Sequence, residues 1–269
     1  STLRLWRETL IYRPASPRAH FNAGQAAGEL KLREEAIAHY NNTLRIDPAY
    51  TKAYYNLGVI LAEIPGRRLE AIRAYEGAIA VQPDFADAHN NLAVQLAAES
   101  GREGEALAHY QTAISLKPDH AAAHSNLSAL LLRFPGRHAE ALAHAERALQ
   151  LEPGKSDIEL ALANALAASP GRANDALGRL QDLVRREPEN DQARINLGLL
   201  LASFPGRVNE ALAAFEAVLR RTPRHADCLY NYALILARIP DRQGDACAQY
   251  ASLLEIQPDH AAAHNNLGQ

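Results

Sequence analysis

An asparagine recurs every 34 or 35 residues along most of this 269-residue chain. The members of this amide row are Asn22, Asn56, Asn91, Asn126, Asn196, Asn231 and Asn266. A carboxamide carries both a hydrogen-bond donor and an acceptor. A row of carboxamides at a fixed rise therefore matches successive backbone groups of an extended peptide and depends little on its side chains. Ala161 interrupts the row, which divides the predicted peptide path into two segments.

Aromatic residues directly precede three members of the amide row, namely Phe21, Tyr55 and Tyr230. Aromatic side chains are frequent anchors of protein interfaces, so we predict that these three contact the same peptide. The alternative for the row itself is a structural role, in which each carboxamide satisfies neighbouring backbone groups or binds water.

Two histidine pairs, His120 with His124 and His260 with His264, have the spacing of metal ligands on one helical face. No third ligand of the Cys, Asp or Glu type recurs beside them. We therefore predict packing and helix capping for these histidines, with no metal site and no cofactor.

The composition argues against several function classes. The chain has 28 basic and 31 acidic residues and a formal net charge of −3, whereas nucleic-acid binders usually carry a basic excess. No apolar run reaches the ~18 residues of a membrane span. No phosphate-binding glycine loop, HExxH motif or nucleophile elbow occurs. We predict no nucleic-acid partner, no membrane span in this segment and no enzymatic activity. Cys228 and Cys247 are predicted to be free thiols, both buried or half-buried.

The elements that carry the amide row follow from a proline repeat. Prolines stand 35 residues apart from Pro48 to Pro258, and Pro14 stands 34 residues before Pro48. In one unit, apolar residues with three-and-four spacing predict two amphipathic helices, near residues 52–64 and 69–81. Residues 65–67, Pro-Gly-Arg, predict the turn between them, and Pro83 ends the second helix.

Small residues recur where the two helices of a unit must approach, such as Gly58 in the first helix and Ala71 in the second. An acidic residue precedes the recurring second-helix alanine in every unit, which marks it as structural rather than catalytic. We predict that the turn arginines pair with these carboxylates at the surface. Those arginines are Arg67, Arg137, Arg172 and Arg207.

These residues together resemble the tetratricopeptide repeat, over essentially the whole chain. In one unit the shared pattern is Asn56-Leu57-Gly58, Ala71, Tyr75, Ala78 and Pro83. The family repeat usually has 34 residues, and here every full unit except the first has one more residue in the turn. The resemblance implies an all-α fold, a right-handed superhelical α-solenoid of helical hairpins whose first helices line the concave side.

The amide row is also similar to the asparagine ladder of O-GlcNAc transferases, which holds substrate polypeptide through its backbone. That similarity implies a peptide contact for the seven asparagines. A carboxylate clamp of the chaperone-binding type is not implied, because no lysine or arginine directly precedes any of them.

We expect one solenoid over residues 1–269. Its segments are a second helix in 1–16, full repeats at 17–50, 51–85, 86–120, 121–155, 156–190, 191–225 and 226–260, and the start of a first helix in 261–269. Incomplete terminal repeats expose apolar surface that a neighbouring repeat would bury. We therefore expect either continuation of the chain in the native protein or self-association through these truncated repeats.

The predicted function is a protein-interaction scaffold that binds an extended peptide or partner protein on the concave face. One alternative is the substrate-recognition arm of a larger glycosyltransferase-type enzyme, with no catalysis in this segment. Another is RNA binding by a helical repeat, which the acidic charge and the constant asparagine disfavour. The cytoplasm is the favoured compartment, and fusion to a membrane domain would favour a periplasmic or luminal one.

Overall fold

The computed structural model describes residues 2–268, so residues 1 and 269 of the predicted terminal segments lie outside it. Within this range the chain forms sixteen α-helices and no strand. They are α1 (Thr2–Tyr12), α2 (Pro17–Glu29), α3 (Arg33–Ile46), α4 (Thr51–Ala62), α5 (Arg68–Val81), α6 (Ala86–Ala97), α7 (Glu103–Leu116), α8 (Ala121–Leu131), α9 (His138–Leu151), α10 (Ser156–Ala168), α11 (Ala173–Arg186), α12 (Asp191–Ala202), α13 (Val208–Arg221), α14 (Ala226–Leu236), α15 (Gln243–Leu254) and α16 (Ala261–Leu267).

The helices fall into two compact units, Ser1–Phe134 with α1 to α8 and Pro135–Gln269 with α9 to α16. Every predicted full repeat contains two helices, and the pairs α2–α3, α4–α5 and α6–α7 make the most extensive contacts of the first unit. The all-α class built from repeated helix pairs is thus confirmed. The repeat boundaries and the single superhelix over the whole chain stay predictions.

The first helices of consecutive repeats contact one another within each unit. In the first unit α4 touches α2 and α6, and α6 touches α8, while in the second unit α12 touches α10 and α14. Consecutive second helices make no comparable contact among the described residues. The first helices therefore form the more closely packed layer of each unit, which we call the first-helix layer.

A small residue in the first helix faces a large one in the second. A Cβ atom added to Gly58 would lie 2.7 Å from the ring of Tyr75, and one added to Gly198 would lie 3.0 Å from that of Phe215. Tyr75 and Phe215 are only 2% and 0% exposed. The small residues therefore provide the space in which these rings pack between the paired helices.

The turn between the paired helices requires a left-handed backbone conformation at its second residue. Gly206 has a φ angle of +76° in the sixth repeat, and Asp241 occupies the same position in the seventh repeat with a φ angle of +64°. A Cβ atom is disfavoured in this region because it approaches the following carbonyl oxygen. The backbone of the turn is therefore strained at Asp241, whereas it is relaxed at Gly206.

We expect Asp241→Gly to raise the free energy of unfolding by about 0.5–1 kcal/mol, because glycine adopts this conformation without the Cβ contact. The reverse exchange at the matched position, Gly206→Asp, should lower it by a similar amount. Urea denaturation followed by circular dichroism measures both changes. A less stable Asp241→Gly variant would contradict this account of the turn.

An ion pair between an arginine and a carboxylate three residues later recurs directly after the turn. In the second repeat Arg67 binds the Glu70 carboxylate with hydrogen bonds of 2.8 and 2.6 Å, and these bonds lower the pKa of Glu70. All four predicted turn arginines make this pair. Arg102 with Glu105 and Arg242 with Asp245 make it too, although the sequence prediction had not included them.

The two cysteines differ in burial. Cys228 is buried, which raises its pKa to about 12, and its Sγ donates to the carbonyl of Phe215 at 3.5 Å. Cys247 is exposed, so the prediction of a buried or half-buried thiol is wrong there. In the preceding repeat the same slot holds Leu212, which belongs to the same buried core cluster as Leu229 of the following first helix. Beside Cys247 the counterpart of Leu229 is His264 of α16, a polar residue that is itself exposed.

Candidate functional site

All seven asparagines of the amide row lie in first helices, and all seven are half-buried. Several directly precede a core leucine, such as Leu57, Leu92 or Leu127, which are 8%, 2% and 1% exposed. Adjacent residues of an α-helix point about 100° apart, so a side chain next to a core residue lies at the edge of the core. The carboxamides therefore remain in contact with solvent, while the helix backbone fixes their positions.

First-helix residues of the preceding repeat hold the donor groups of two row members. Asn91 Nδ2 donates to Tyr55 Oη at 3.2 Å, which links α6 to α4. Asn126 Nδ2 donates to Asn90 Oδ1 at 3.1 Å, which links α8 to α6 in the same way. In both of these members the NH2 group points toward the N-terminal neighbour.

Phenols of the second helices hold two further amides. Asn56 Nδ2 lies 3.5 Å from Tyr40 Oη, and Asn266 Nδ2 donates to Tyr250 Oη at 3.0 Å. Burial raises the pKa of Tyr40 to about 12 and raises that of Tyr250, so both phenols stay protonated at neutral pH. A neutral phenol that accepts the amide N–H still has its own O–H to donate.

The acceptor groups of the row are mostly unused. Four members have Nδ2 bonded within the protein while their Oδ1 accepts no hydrogen bond from residues 2–268. These four are Asn56, Asn126, Asn231 and Asn266. Asn22 makes no side-chain hydrogen bond to the described part of the chain, whereas both polar ends of Asn91 and Asn196 are bonded. The open positions therefore select a ligand that donates hydrogen bonds.

The gap in the row at Ala161 is bridged by a residue that the sequence argument missed. Ala161 is 8% exposed, but Asn164, one helical turn later in α10, is exposed. Asn164 Oδ1 accepts from Asn196 Nδ2 at 3.0 Å, which leaves the Asn164 NH2 group free among the described residues. The signal in the sequence was an asparagine three positions after the missing one.

An open cavity of about 350 Å³ lies beside this bridge, between α10 and α12. Asn164 and Asn196 stand among its lining residues, and the other lining residues include Ala167, Ala168 and Leu199. Leu199 is 38% exposed although it is a large aliphatic residue. The cavity thus combines carboxamides with an aliphatic wall that is open to solvent.

The three predicted aromatic anchors differ in how much of each ring is free. Phe21 is 7% exposed and packs against the rings of Tyr40 and Tyr50, with the Tyr50 centroid 4.9 Å away. Tyr55 and Tyr230 are half-buried. The anchoring role stays a prediction for all three, and Tyr55 and Tyr230 have the more accessible rings.

The capping role predicted for His120 and His260 is confirmed and His124 is buried as predicted, whereas His264 is exposed. His120 Nδ1 accepts from the backbone N–H of Ala123 at 3.3 Å, and His260 caps α16 in the same way. His124 and His264 place Nε2 at 3.2 and 2.7 Å from proline carbonyl oxygens. Within residues 2–268 no group of three potential metal ligands is found.

Two general properties of the helices also bear on function. None of the described helices is both long and apolar enough to cross a bilayer. The net charge is −3, and many of the charged side chains are paired at the surface, as the turn ion pairs illustrate.

Family comparisons agree on the type of repeat. One tetratricopeptide repeat model matches residues 66–117, 93–156 and 206–261, and a second matches residues 135–200. A TPR repeat model matches residues 34–64. No curated protein sequence matches the chain significantly.

Three solved structures show the range of structural similarity. A tetratricopeptide repeat protein from Parabacteroides merdae is 16% identical with a TM-score of 0.78, and the match covers 94% of this chain and 97% of that one. MamA is 25% identical with a TM-score of 0.52, covering 56% and 86%. A chain of the APC/C hetero-tetramer Cut9–Hcn1 is 17% identical with a TM-score of 0.72, covering 99% and 52%.

Proposed function

Because the chain belongs to the tetratricopeptide repeat family, a family of non-catalytic scaffolds for protein interactions, we propose that it binds an extended segment of a partner protein along the amide row. The observation that carries this proposal is the common state of the seven carboxamides. All are half-buried, and five have an oxygen that accepts nothing from the described residues.

The direction of the hydrogen bonds supports an extended peptide backbone as ligand. The open Oδ1 atoms accept, so they pair with backbone N–H groups. The Tyr55 phenol accepts from Asn91 and remains neutral because burial raises its pKa, so its O–H can donate to a peptide carbonyl. A peptide backbone offers both groups at every non-proline residue. Binding of this kind tolerates many side-chain sequences.

The cavity between α10 and α12 adds a side-chain preference in the second unit. Its aliphatic wall, with Leu199 and Leu200, fits a branched aliphatic side chain of the ligand, while Asn164 holds the backbone beside it. Recognition therefore combines backbone pairing with one apolar pocket. If the chain is instead the substrate-recognition arm of a larger glycosyltransferase-type enzyme, it would bind substrate polypeptide through the same surface. One binding experiment therefore tests both functions.

The test is the binding of Asn126→Ala to a random library of peptides of about 12 residues, a length that spans roughly 40 Å when extended. We expect binding to weaken about two- to tenfold, since one hydrogen bond contributes about 0.5–1.5 kcal/mol. Fluorescence anisotropy with selected peptides measures the change.

Asn174→Ala is the matched control, because Asn174 is an exposed asparagine in the second helix α11. It should bind as the unaltered protein does. Equal affinity of Asn126→Ala and Asn174→Ala would remove the amide row from the binding mechanism.

A further inference from the structure

Two residue positions in each helical hairpin both hold histidine in some repeats, and neither holds it in the others. The first slot lies two residues before the amide-row position, and the second lies three residues after the recurring second-helix alanine. The seven pairs are His20/His39, Tyr54/Ala74, His89/His109, His124/His144, Glu159/Arg179, Arg194/Ala214 and Leu229/Gln249. A histidine in the first slot of a full repeat is thus always accompanied by a histidine in the second, which indicates that the two rings act together.

The two pairs of the first unit have the same geometry. The Nδ1 atoms of His20 and His39 are 3.1 Å apart, and those of His89 and His109 are 2.9 Å apart. Nε2 of His20 and of His89 each lie 3.0 Å from a proline carbonyl oxygen. A carbonyl only accepts, so each Nε2 carries the proton and its ring's Nδ1 accepts from the partner's Nδ1–H.

This bond limits how many protons a pair can hold. One extra proton on Nε2 of His39 or His109 leaves the Nδ1–H to Nδ1 bond intact. A second extra proton must go to Nδ1 of His20 or His89, where it faces another N–H across about 3 Å with both rings charged. Two like charges at this distance in a partly buried site repel strongly. The doubly charged pair is therefore incompatible with the closed hairpin.

Neighbouring carboxylates favour the charged rings too weakly to offset the effect of burial. Glu35 lies 3.7 Å from His39 Nε2, but its carboxylate is held by Arg7 of α1 at 2.6 Å. Glu105 precedes His109 by one turn, and its carboxylate is held by the turn arginine Arg102 at 2.6 Å. Burial, followed by the charge of the partner ring, lowers the pKa of both His39 and His109 despite these carboxylates.

We propose that the histidine pairs make the hairpins α2–α3 and α6–α7 a pH-sensitive element that loosens on mild acidification. The unfolded chain binds protons at His39 and His109 near the usual histidine pKa of about 6.5, whereas the closed hairpins lower the pKa of both rings and bind these protons only at lower pH. Their contribution to stability is therefore complete above about pH 6.5 and is lost as the pH falls below it. The element is independent of whether the amide row binds peptide.

Hydrogen–deuterium exchange of the whole chain at pH 7.5 and pH 5.5, corrected for intrinsic exchange rates, tests this. We expect protection in α2–α3 and α6–α7 to fall at least about threefold more than in α12–α13, whose slots hold Arg194 and Ala214. An equal response of the three hairpins would overturn the proposal without any variant.

The double variant His39→Asn/His109→Asn keeps an amide donor near each Nδ1 position and cannot be charged. It should lose the additional acid response of the two hairpins. His138→Asn, which changes a half-buried histidine outside the two slots, should keep it. An acid response that persists in full in the double variant would contradict the role of the pairs.

Discussion

Phe215→Ala should lower the free energy of unfolding of the second unit by about 3–5 kcal/mol. The Phe215 side chain is 0% exposed and belongs to a core cluster that joins the consecutive helices α12, α13 and α14, with Ile195, Val218 and Tyr232 in the same cluster. Its ring also packs against Gly198, which has no side chain to move into the space. Removing the ring therefore leaves a cavity that the rigid helix pair cannot close.

Urea denaturation monitored by circular dichroism and by exchange protection of α12–α13 measures this loss. Phe204→Ala deletes the same ring at a half-buried turn position and should cost clearly less. Phe215→Leu should lie between the two, because Leu180 fills the same slot in the preceding repeat at 1% exposure. A Phe215→Ala variant as stable as Phe204→Ala would show that the slot does not hold the repeats together.

The repeated helix pairs could be predicted because their determinants lie within one repeat. Pro48 and Pro83 follow the ends of α3 and α5 by two residues, as expected for residues that cannot continue a helix. The first helix of the second repeat ends at Ala62 rather than near Ile64, because the N–H groups of Glu63 and Ile64 already bond three residues back. The residue before a proline disfavours the α conformation, which explains this early end.

The details of the site could not be read in the same way, because they depend on the offset between helices. That Asn126 bonds to Asn90 rather than to water follows from how α8 sits against α6. The partnership of His89 with His109 likewise spans 20 residues and two helices. Periodicity assigns each residue to a helix face, but the partner on the facing helix is fixed only when both helices are in place.

The difference between features set by periodicity and features set by helix packing determines where ligand specificity can be tested. Sequence periodicity supplied the amide row, which pairs with any backbone, but the apolar cavity beside Asn164 appears only when α10 and α12 lie together. If the proposed function holds, the cavity is the part of the surface that distinguishes one peptide from another. A substitution that fills the cavity can exclude a ligand side chain from it without altering the amide row.

Ala167→Trp should therefore weaken binding of peptides with an aliphatic anchor about ten- to a hundredfold, because burial of such a side chain contributes about 1.5–3 kcal/mol. Ala167 lines the cavity and is exposed, so an indole there fills the space without displacing a core residue. Anisotropy titration with library-selected peptides, and with the same peptides carrying alanine at the anchor, measures the loss.

Ala143→Trp is the matched control, since Ala143 is exposed on the second helix α9 and takes the same added volume. It should leave binding unchanged. The alanine-anchored peptides should be weak toward all proteins and insensitive to Ala167→Trp, because they leave the cavity empty. Full affinity of Ala167→Trp for aliphatic peptides would exclude the cavity from recognition while leaving backbone pairing by the amide row open to its own test.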